Sequence, residues 1–475
     1  MDDPEQRKLA LNALCAIEFE SGHDQLSYGA CKEAVDDATL TEEAPSAVDL
    51  TNLAEAARSL FKLDEAEQVG LRATSAPVSW YGNPWLELAE LYLREARLEE
   101  ALYALKKIPL YRSLRPPHAR DSDRNETRRA IAAFLLLVAR PREALEITAV
   151  ALVAPDRRAH NSRDPVQDKM VIALLDRRAR LVAAEQTMEE ASSEPWVRWP
   201  WAFIRASYLR FQAWRAGAVA KRLVSDERRL VGLFQIGTAR GAILSPWLAG
   251  EFVDILGAGV AKEAIKRARA SDRRAGASGY YDAFAAEAAA GTGELEQALA
   301  FSSQAIKRLP AREALLRARV QALAADAAWS AGRTDLAFAY YDAALQSDQG
   351  IFRRLGLAIP VRISVRGDAV AQEAAGLLSA SPRLQASQQG LELRVQADHT
   401  GGSACLLGSR GEVFGCSQTR ADNRDSASAL ARRISRDFHA KLFTFPVDVS
   451  RADINSLDGS NLVGRDTLRT LFGPP

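Results

Sequence analysis

The sequence is short of several features, and each shortage excludes a class of protein. No apolar stretch approaches the roughly 20 residues a helix needs to span a bilayer. The longest, 130–139, reads as a buried helix face, so no membrane-spanning segment is expected. Neither sign of charge is in excess: 62 Lys and Arg stand against 61 Asp and Glu, a net charge of +1. No global field therefore draws the chain to nucleic acid or anionic lipid. Histidine is scarce, and His23, His118, His160, His399 and His439 lie far apart without a metal-binding spacing, so no metal site is expected. There is no phosphate-binding glycine loop. Leu256-Gly257-Ala258-Gly259 follows no strand and lacks a third glycine, so neither a nucleotide cofactor nor a small-molecule substrate is expected. The first residues, Met1-Asp2-Asp3-Pro4-Glu5, lack the basic and apolar regions of a secretory leader. Either the protein is cytosolic, or such a leader has been removed.

Cysteine is also sparse, but its placement is informative. The four cysteines form two local couples, Cys15 with Cys31 and Cys405 with Cys416. Paired cysteines favour disulfides and an oxidising compartment, and none has a zinc-type spacing. Gly22-His23-Asp24 lies nearly midway between Cys15 and Cys31, so a turn there sets them across adjacent antiparallel helices. Two buried free thiols are the other reading of that couple.

The chain has 475 residues, of which 47% are hydrophobic and 26% charged. A single core stops growing at about 250–300 residues, so a modular or repeating molecule is expected. Repeats are present. Trp85-Leu-Glu-Leu88-Ala89-Glu-Leu-Tyr92, then Ala96, Ala101, Leu105 and Ile108, place small and large apolar residues at helical spacing on two successive helices. The same skeleton fits Leu50, Leu53, Ala54, Ala57, Ala66, Gly70 and Ala73, ending near Pro77. It fits Ile131, Ala132, Leu135, Ala139, Ala144, Thr148 and Ala151, closing at Pro155. Two later units run Ala285, Ala286, Ala289, Gly293, Ala298, Ser302, Ala305 and Ala324, Ala325, Ala328, Gly332, Ala337, Tyr341, Ala344. Small residues let antiparallel helices approach closely, while Leu, Tyr and Trp fill the space between layers. Gly293 and Gly332 fall at inter-helix turns, where a positive φ is useful.

This pattern resembles the tetratricopeptide repeat. The resemblance implies an α-solenoid of helical hairpins that binds other proteins. Residues 1–160 read as N-terminal repeats, 161–275 as irregular hairpins, and 276–350 as further repeats.

The irregular segment carries the most unusual composition, Trp196-Val-Arg198-Trp199-Pro-Trp201 with Trp214 beyond. Two readings fit. The tryptophans plug a junction between helix layers, or Trp196, Arg198, Trp199, Trp201 and Trp214 form an aromatic anchor for a partner peptide. Arg-Arg doublets recur at 157–158, 177–178, 228–229, 273–274, 353–354 and 432–433. Scattered among acids, they read as solvated helix faces, with a local basic groove as the alternative.

After Gly350 the period changes from helical to alternating. Residues 351–445 read as a small α/β domain. Its expected order is a strand at 359–365, a helix at 368–378, a strand at 391–395, a hairpin of 403–407 with 412–418, and a helix at 426–443. A sheet with helices on one side satisfies that order. The hairpin sets Cys405 opposite Cys416, provided the register does not slip by one residue. Residues 446–475, with anchors at Ile454, Leu457, Leu462 and Leu468, read as a tail, either wrapped over this domain or held by a partner.

The α/β segment, with its helix ending Leu377-Leu378-Ser-Ala-Ser-Pro382-Arg, resembles the amino-terminal domain of TolB-type periplasmic proteins and lipoprotein activators of penicillin-binding proteins. That resemblance implies a protein-docking module of the bacterial envelope, without a catalytic residue. The expected function is a non-catalytic, two-handed scaffold in the periplasm, within a multi-component complex for secretion, motility or wall machinery. A cytosolic adaptor in signalling is the alternative. The third reading is an enzyme whose C-terminal domain is catalytic, for which Asp398-His399 near Cys405 or Cys416 is the arrangement to weigh.

Overall fold

A computed structural model describes residues 4–40, 44–78, 82–117, 123–153, 165–194, 196–224, 230–235, 248–422, 425–442, 444 and 447–458. The doublets at 157–158 and 228–229, His118, His160, Pro155, Leu462, Leu468 and the side chain of Trp196 lie outside the described residues.

The N-terminal part consists of paired helices: α1 (Pro4–Glu20) with α2 (Asp24–Leu40), α3 (Ala47–Ser59) with α4 (Leu63–Ser75), α5 (Pro84–Arg94) with α6 (Leu98–Ser113), and α7 (Arg124–Leu137) with α8 (Pro141–Val153). A long pair follows, α9 (Pro165–Ser192) and α10 (Trp199–Leu223). Next come α11 (Leu248–Leu256) and α12 (Ala258–Ser271). Two further hairpins, α13 (Ser278–Ala290) with α14 (Leu295–Arg308) and α15 (Ala314–Ser330) with α16 (Thr334–Ser347), lead through short α17 (Ile351–Leu355) into the sheet. The fold is thus a tetratricopeptide-like array of helical hairpins followed by a small α/β domain, as the sequence pattern implies.

One turn serves six of these hairpins. A residue in left-handed conformation ends the first helix at Gly22, Phe61, Ala96, Ala139, Gly293 and Gly332. The next backbone N–H then reaches back to a carbonyl five residues earlier: Lys62 to Ala57 (3.0 Å), Arg97 to Tyr92 (2.9 Å), Arg140 to Leu135 (2.7 Å), Glu294 to Ala289 (3.0 Å) and Arg333 to Ala328 (2.9 Å). His23 does the same to Glu18 (2.9 Å). This closes off carbonyls that the helix end leaves unpaired. Three of the six turns lack glycine, and a side chain there costs roughly 1–2 kcal/mol.

The array closes on itself. Phe61, at one strained turn, stacks on Tyr280 with ring centroids 4.7 Å apart, under the Arg274 guanidinium at 5.5 Å. A Cβ on Gly276 would stand 2.4 Å from the Phe61 ring, so only glycine fits there. Arg94, from the end of α5, donates to the Tyr280 hydroxyl (3.0 Å) and pairs with Glu313, which also accepts from Tyr280. Arg94 and Glu313 are both buried. Beside them Arg312 joins Asp64 (2.5 Å), Glu67 and Glu95 (2.7 Å). Residues more than 200 positions apart thus meet inside the molecule.

The sheet has the order β2-β1-β3-β4-β5, from β1 (Ile359–Gly367), β2 (Leu384–Ala386), β3 (Leu391–Asp398), β4 (Gly401–Leu407) and β5 (Val413–Arg420). β1 runs parallel to both β2 and β3, while β3, β4 and β5 are antiparallel. Helices α18 (Ala369–Ser379) and α19 (Ala427–Lys441) pack on the sheet and on each other. Strand β2 was not expected, because three residues are too few to show an alternation. The domain shares one continuous core with the last repeats, reaching from Ala298, Ala325 and Tyr341 to Leu393, Leu406 and Phe438. It is fused to the array rather than hung from it.

Both cysteine couples are disulfides, Cys15–Cys31 across α1 and α2 and Cys405–Cys416 across β4 and β5. The strand register sets Cys405 directly opposite Cys416.

Two expectations are corrected. Several arginine doublets are internal ties, not solvated faces. Arg177 and Arg178 pair with Glu251, Arg353 with Glu189 (2.8 Å), and Arg354 with Asp348. Only Arg273 of its doublet is exposed, and Arg433 joins Asp422 (2.9 Å) and Asp425 (2.5 Å). The described part of the tail, 447–458, does not lie over the α/β domain. With α20 (Arg451–Leu457), it crosses to the N-terminal helices, where Val449, Ile454 and Leu457 enter the core of α5–α8. Asp458 there meets Arg128 (3.2 Å), and Asp453 meets Lys106 (2.5 Å).

The turn geometry makes a contrast testable by urea unfolding. Replacing Ala96 by glycine should raise stability by ~0.5–1 kcal/mol, the relieved strain less the entropy glycine adds to the unfolded chain. Phe61→Gly removes the same strain but also the stack on Tyr280, and should lower stability by about 2 kcal/mol. Equal shifts in one direction would contradict this account.

Candidate partner-binding surface

Helices α9 and α10 have 28 and 25 residues, longer than any helix of the regular hairpins. Pro200 sits in the first turn of α10, where its missing N–H costs nothing. The helix packs on α9 through a narrow stripe, Ala206, Leu209, Ala213, Gly217 and Ala220, all buried and all small but Leu209. That stripe satisfies the inner side of the helix and leaves the rest uncovered.

The uncovered side is aromatic. Trp201 is 75% exposed, Trp214 67%, Phe203 58%, Ile204 57%, Phe211 53% and Tyr208 43%. Phe211 and Trp214 stack on each other at 5.8 Å. Of the 22 exposed large apolar side chains among the described residues, nine lie between Val197 and Val219. Isolated exposed apolar residues are ordinary, whereas a contiguous patch marks an interaction site.

Of the sequence-selected residues, Trp199, Trp201 and Trp214 are therefore exposed, and no described helix layer buries them. Arg198 is exposed and pairs with Glu194 (3.1 Å). They stand exposed along α10 and the short turn that precedes it. Sequence reasoning missed Phe203, Ile204, Tyr208 and Phe211, which complete the patch. The signal was available: α10 carries two apolar stripes at helical spacing on opposite sides, and only one can face α9.

The rest of the molecule offers the chemistry sought in the sequence little purchase. Asp398 ends β3 and accepts from the Thr400 N–H (2.7 Å) and hydroxyl (2.5 Å), an Asx turn. Those hydrogen bonds hold its carboxyl below the usual carboxylate range. Cys405 and Cys416 are consumed by their disulfide. A cleft where α8, α9 and α19 meet is lined by Arg140, Gln186, Glu189, Arg436 and His439. Its groups are engaged in joining the α/β domain to the array. Glu189 accepts from Arg353 and forms an ion pair with Arg383 (3.2 Å), and Ser193 bonds Ser435 (2.9 Å). His439 lies between Ser381 (2.7 Å) and the Ser435 carbonyl (2.8 Å), and burial lowers its pKa. Among the described residues no group of His, Cys, Asp or Glu is arranged to hold a metal ion, and no helix is long and apolar enough to cross a membrane.

No protein-family model matches the chain, and no curated protein matches it. Among solved structures the chain is similar to the crystal structure of yeast Tom70, at 12% identity and a TM-score of 0.23, over 74% of this chain and 94% of that one.

Proposed function

We propose that the chain is a non-catalytic scaffold that holds other proteins, and that the outer face of α10 is the surface that holds them. The observation that carries this reading is the concentration of exposed aromatic side chains, interleaved with arginine, on one uncovered helix. Trp, Tyr and Arg are the residues most enriched where binding energy concentrates. A helical-repeat architecture, stable through neighbour-to-neighbour packing, is suited to presenting such a surface rigidly.

The finer reading places the protein in the periplasm, as a component of an envelope complex of secretion, motility or wall machinery. It is supported by two disulfides in a chain with no other cysteine, since disulfides persist in oxidising compartments. The resemblance of the α/β domain to TolB-type envelope modules, read from the sequence alone, belongs to the same proposal. The cytosolic alternative is separated by the thiols. Alkylating native cells before lysis should leave all four cysteines unlabelled in this protein; four labelled cysteines would contradict export.

The binding claim is tested by a triple variant, Trp201→Ala with Phe211→Ala and Trp214→Ala. These side chains are mostly exposed, so thermal unfolding should be unchanged. A partner retained by the wild-type protein in affinity capture should be retained at least about tenfold less. Equal retention by the folded variant would remove α10 from the account.

A further inference from the structure

We infer that the outer face of α10 takes an amphipathic helix of the partner protein, apolar at the N-terminal half of α10 and acidic beside its C-terminal half. The inference rests on the scaffold reading above and names the chemistry of what is held.

The first argument is the stacking rule of the array. The second helix of each regular hairpin is covered by the first helix of the next: α4 by α5, with Gly70 against Leu88, then α6 by α7, α8 by α9 and α14 by α15. Helix α10 breaks this rule. Helix α11 meets it near its C-terminal end, where Gly217 faces Ile255, and no described helix covers the length from Trp201 to Phe211. No described element takes the position where the array would place its next helix along that length.

The second argument is spacing. Along one side of α10, exposed Trp201, Ile204, Tyr208, Phe211, Arg215 and Arg222 and half-buried Ala218 are separated by alternating steps of three and four, with exposed Phe203 and Trp214 flanking that line. That alternation is the seam along which two helices lie side by side. The inner stripe from Ala206 to Ala220 is already occupied by α9. The outer seam is the same device, unoccupied.

The third argument is charge. Every charged residue from 196 to 224 is a cation: Arg198, Arg205, Arg210, Arg215, Lys221 and Arg222. Arg198 and Arg210 are answered by Glu194 and by Glu185 of α9 (3.0 Å). The other four make no ion pair with a described residue. A second copy of this chain would set cation against cation, which disfavours self-pairing. A bilayer would meet Arg215 and Arg222 on the outermost line of the face, where an inserted helix is apolar. A partner helix with leucines opposite the aromatic half and carboxylates opposite the cations satisfies both halves.

The test uses a synthetic helical peptide of about 21 residues, three heptads. It carries leucine at the seam positions that meet Trp201 to Phe211 and glutamate in the half that meets Arg215 to Arg222; a second peptide carries lysine in place of the glutamates, and vesicles of phosphatidylglycerol form a third arm. The glutamate peptide should bind saturably, shift the tryptophan emission, and weaken as salt is raised. The double variant Arg215→Glu with Arg222→Glu should lose the glutamate peptide by about tenfold or more and gain the lysine peptide. Three results would overturn the inference: equal binding of both peptides by the wild-type chain, vesicles that displace the peptide, or self-association that the double variant enhances. Failure to bind any peptide, with partner capture still dependent on the α10 aromatics, defeats the helix and leaves the scaffold standing. Capture indifferent to α10 defeats both.

Discussion

The structure depends on a set of buried arginine–carboxylate contacts between parts of the chain that are remote in sequence. Arg94, Tyr280 and Glu313 meet at the centre, with Arg312 bound to three acids alongside. A second set, Arg353 and Arg383 on Glu189, seats the α/β domain on α9. Removing two charges from water is expensive, and such pairs add less net stability than an apolar contact of the same size. Their consequence is selectivity. A charged group buried at the wrong partner is left unpaired, so these contacts specify which helices close the array.

Closure determines where a partner can bind. An open solenoid offers its concave side. Here part of the interior is filled by the chain's own contacts, from the Phe61–Tyr280 stack to Leu315 in the core of α5–α8. The C-terminal tail straps the N-terminal helices from outside through Ile454 and Leu457. The exposed aromatic surface lies instead on the long hairpin of α9 and α10, where no described helix continues the regular stacking.

Much of this was legible in the residues. The alternation of small and large apolar positions marked five hairpins, and Gly293 and Gly332 marked their turns. The first hairpin was legible through its cysteines and Gly22. The change of period after Gly350 marked the α/β domain, and the spacing of Cys405 and Cys416 marked its hairpin. Three things were not legible, each for a physical reason. Closure rests on single side chains about 200 positions apart, such as Arg94 and Glu313, and local periodicity carries no information about such pairs. Arginine doublets look alike in sequence whether a distant acid buries them or water does. Helix α10 is apolar on two sides, the usual mark of a buried helix, so its tryptophans read first as plugs. Only the exposure of that second side, which no described helix covers, separates the two cases.

The claim at the centre of this account is that the array is closed and that α10 is its docking surface. Hydroxyl-radical footprinting by mass spectrometry, on the chain alone and with a captured partner, tests both parts together. The account predicts rapid oxidation of Trp201, Phe211 and Trp214 in the free chain, slow oxidation of Tyr280 and Phe61, and protection by the partner confined to α10. Rapid oxidation of Tyr280 in the free chain, or protection by the partner elsewhere with α10 unchanged, would contradict it.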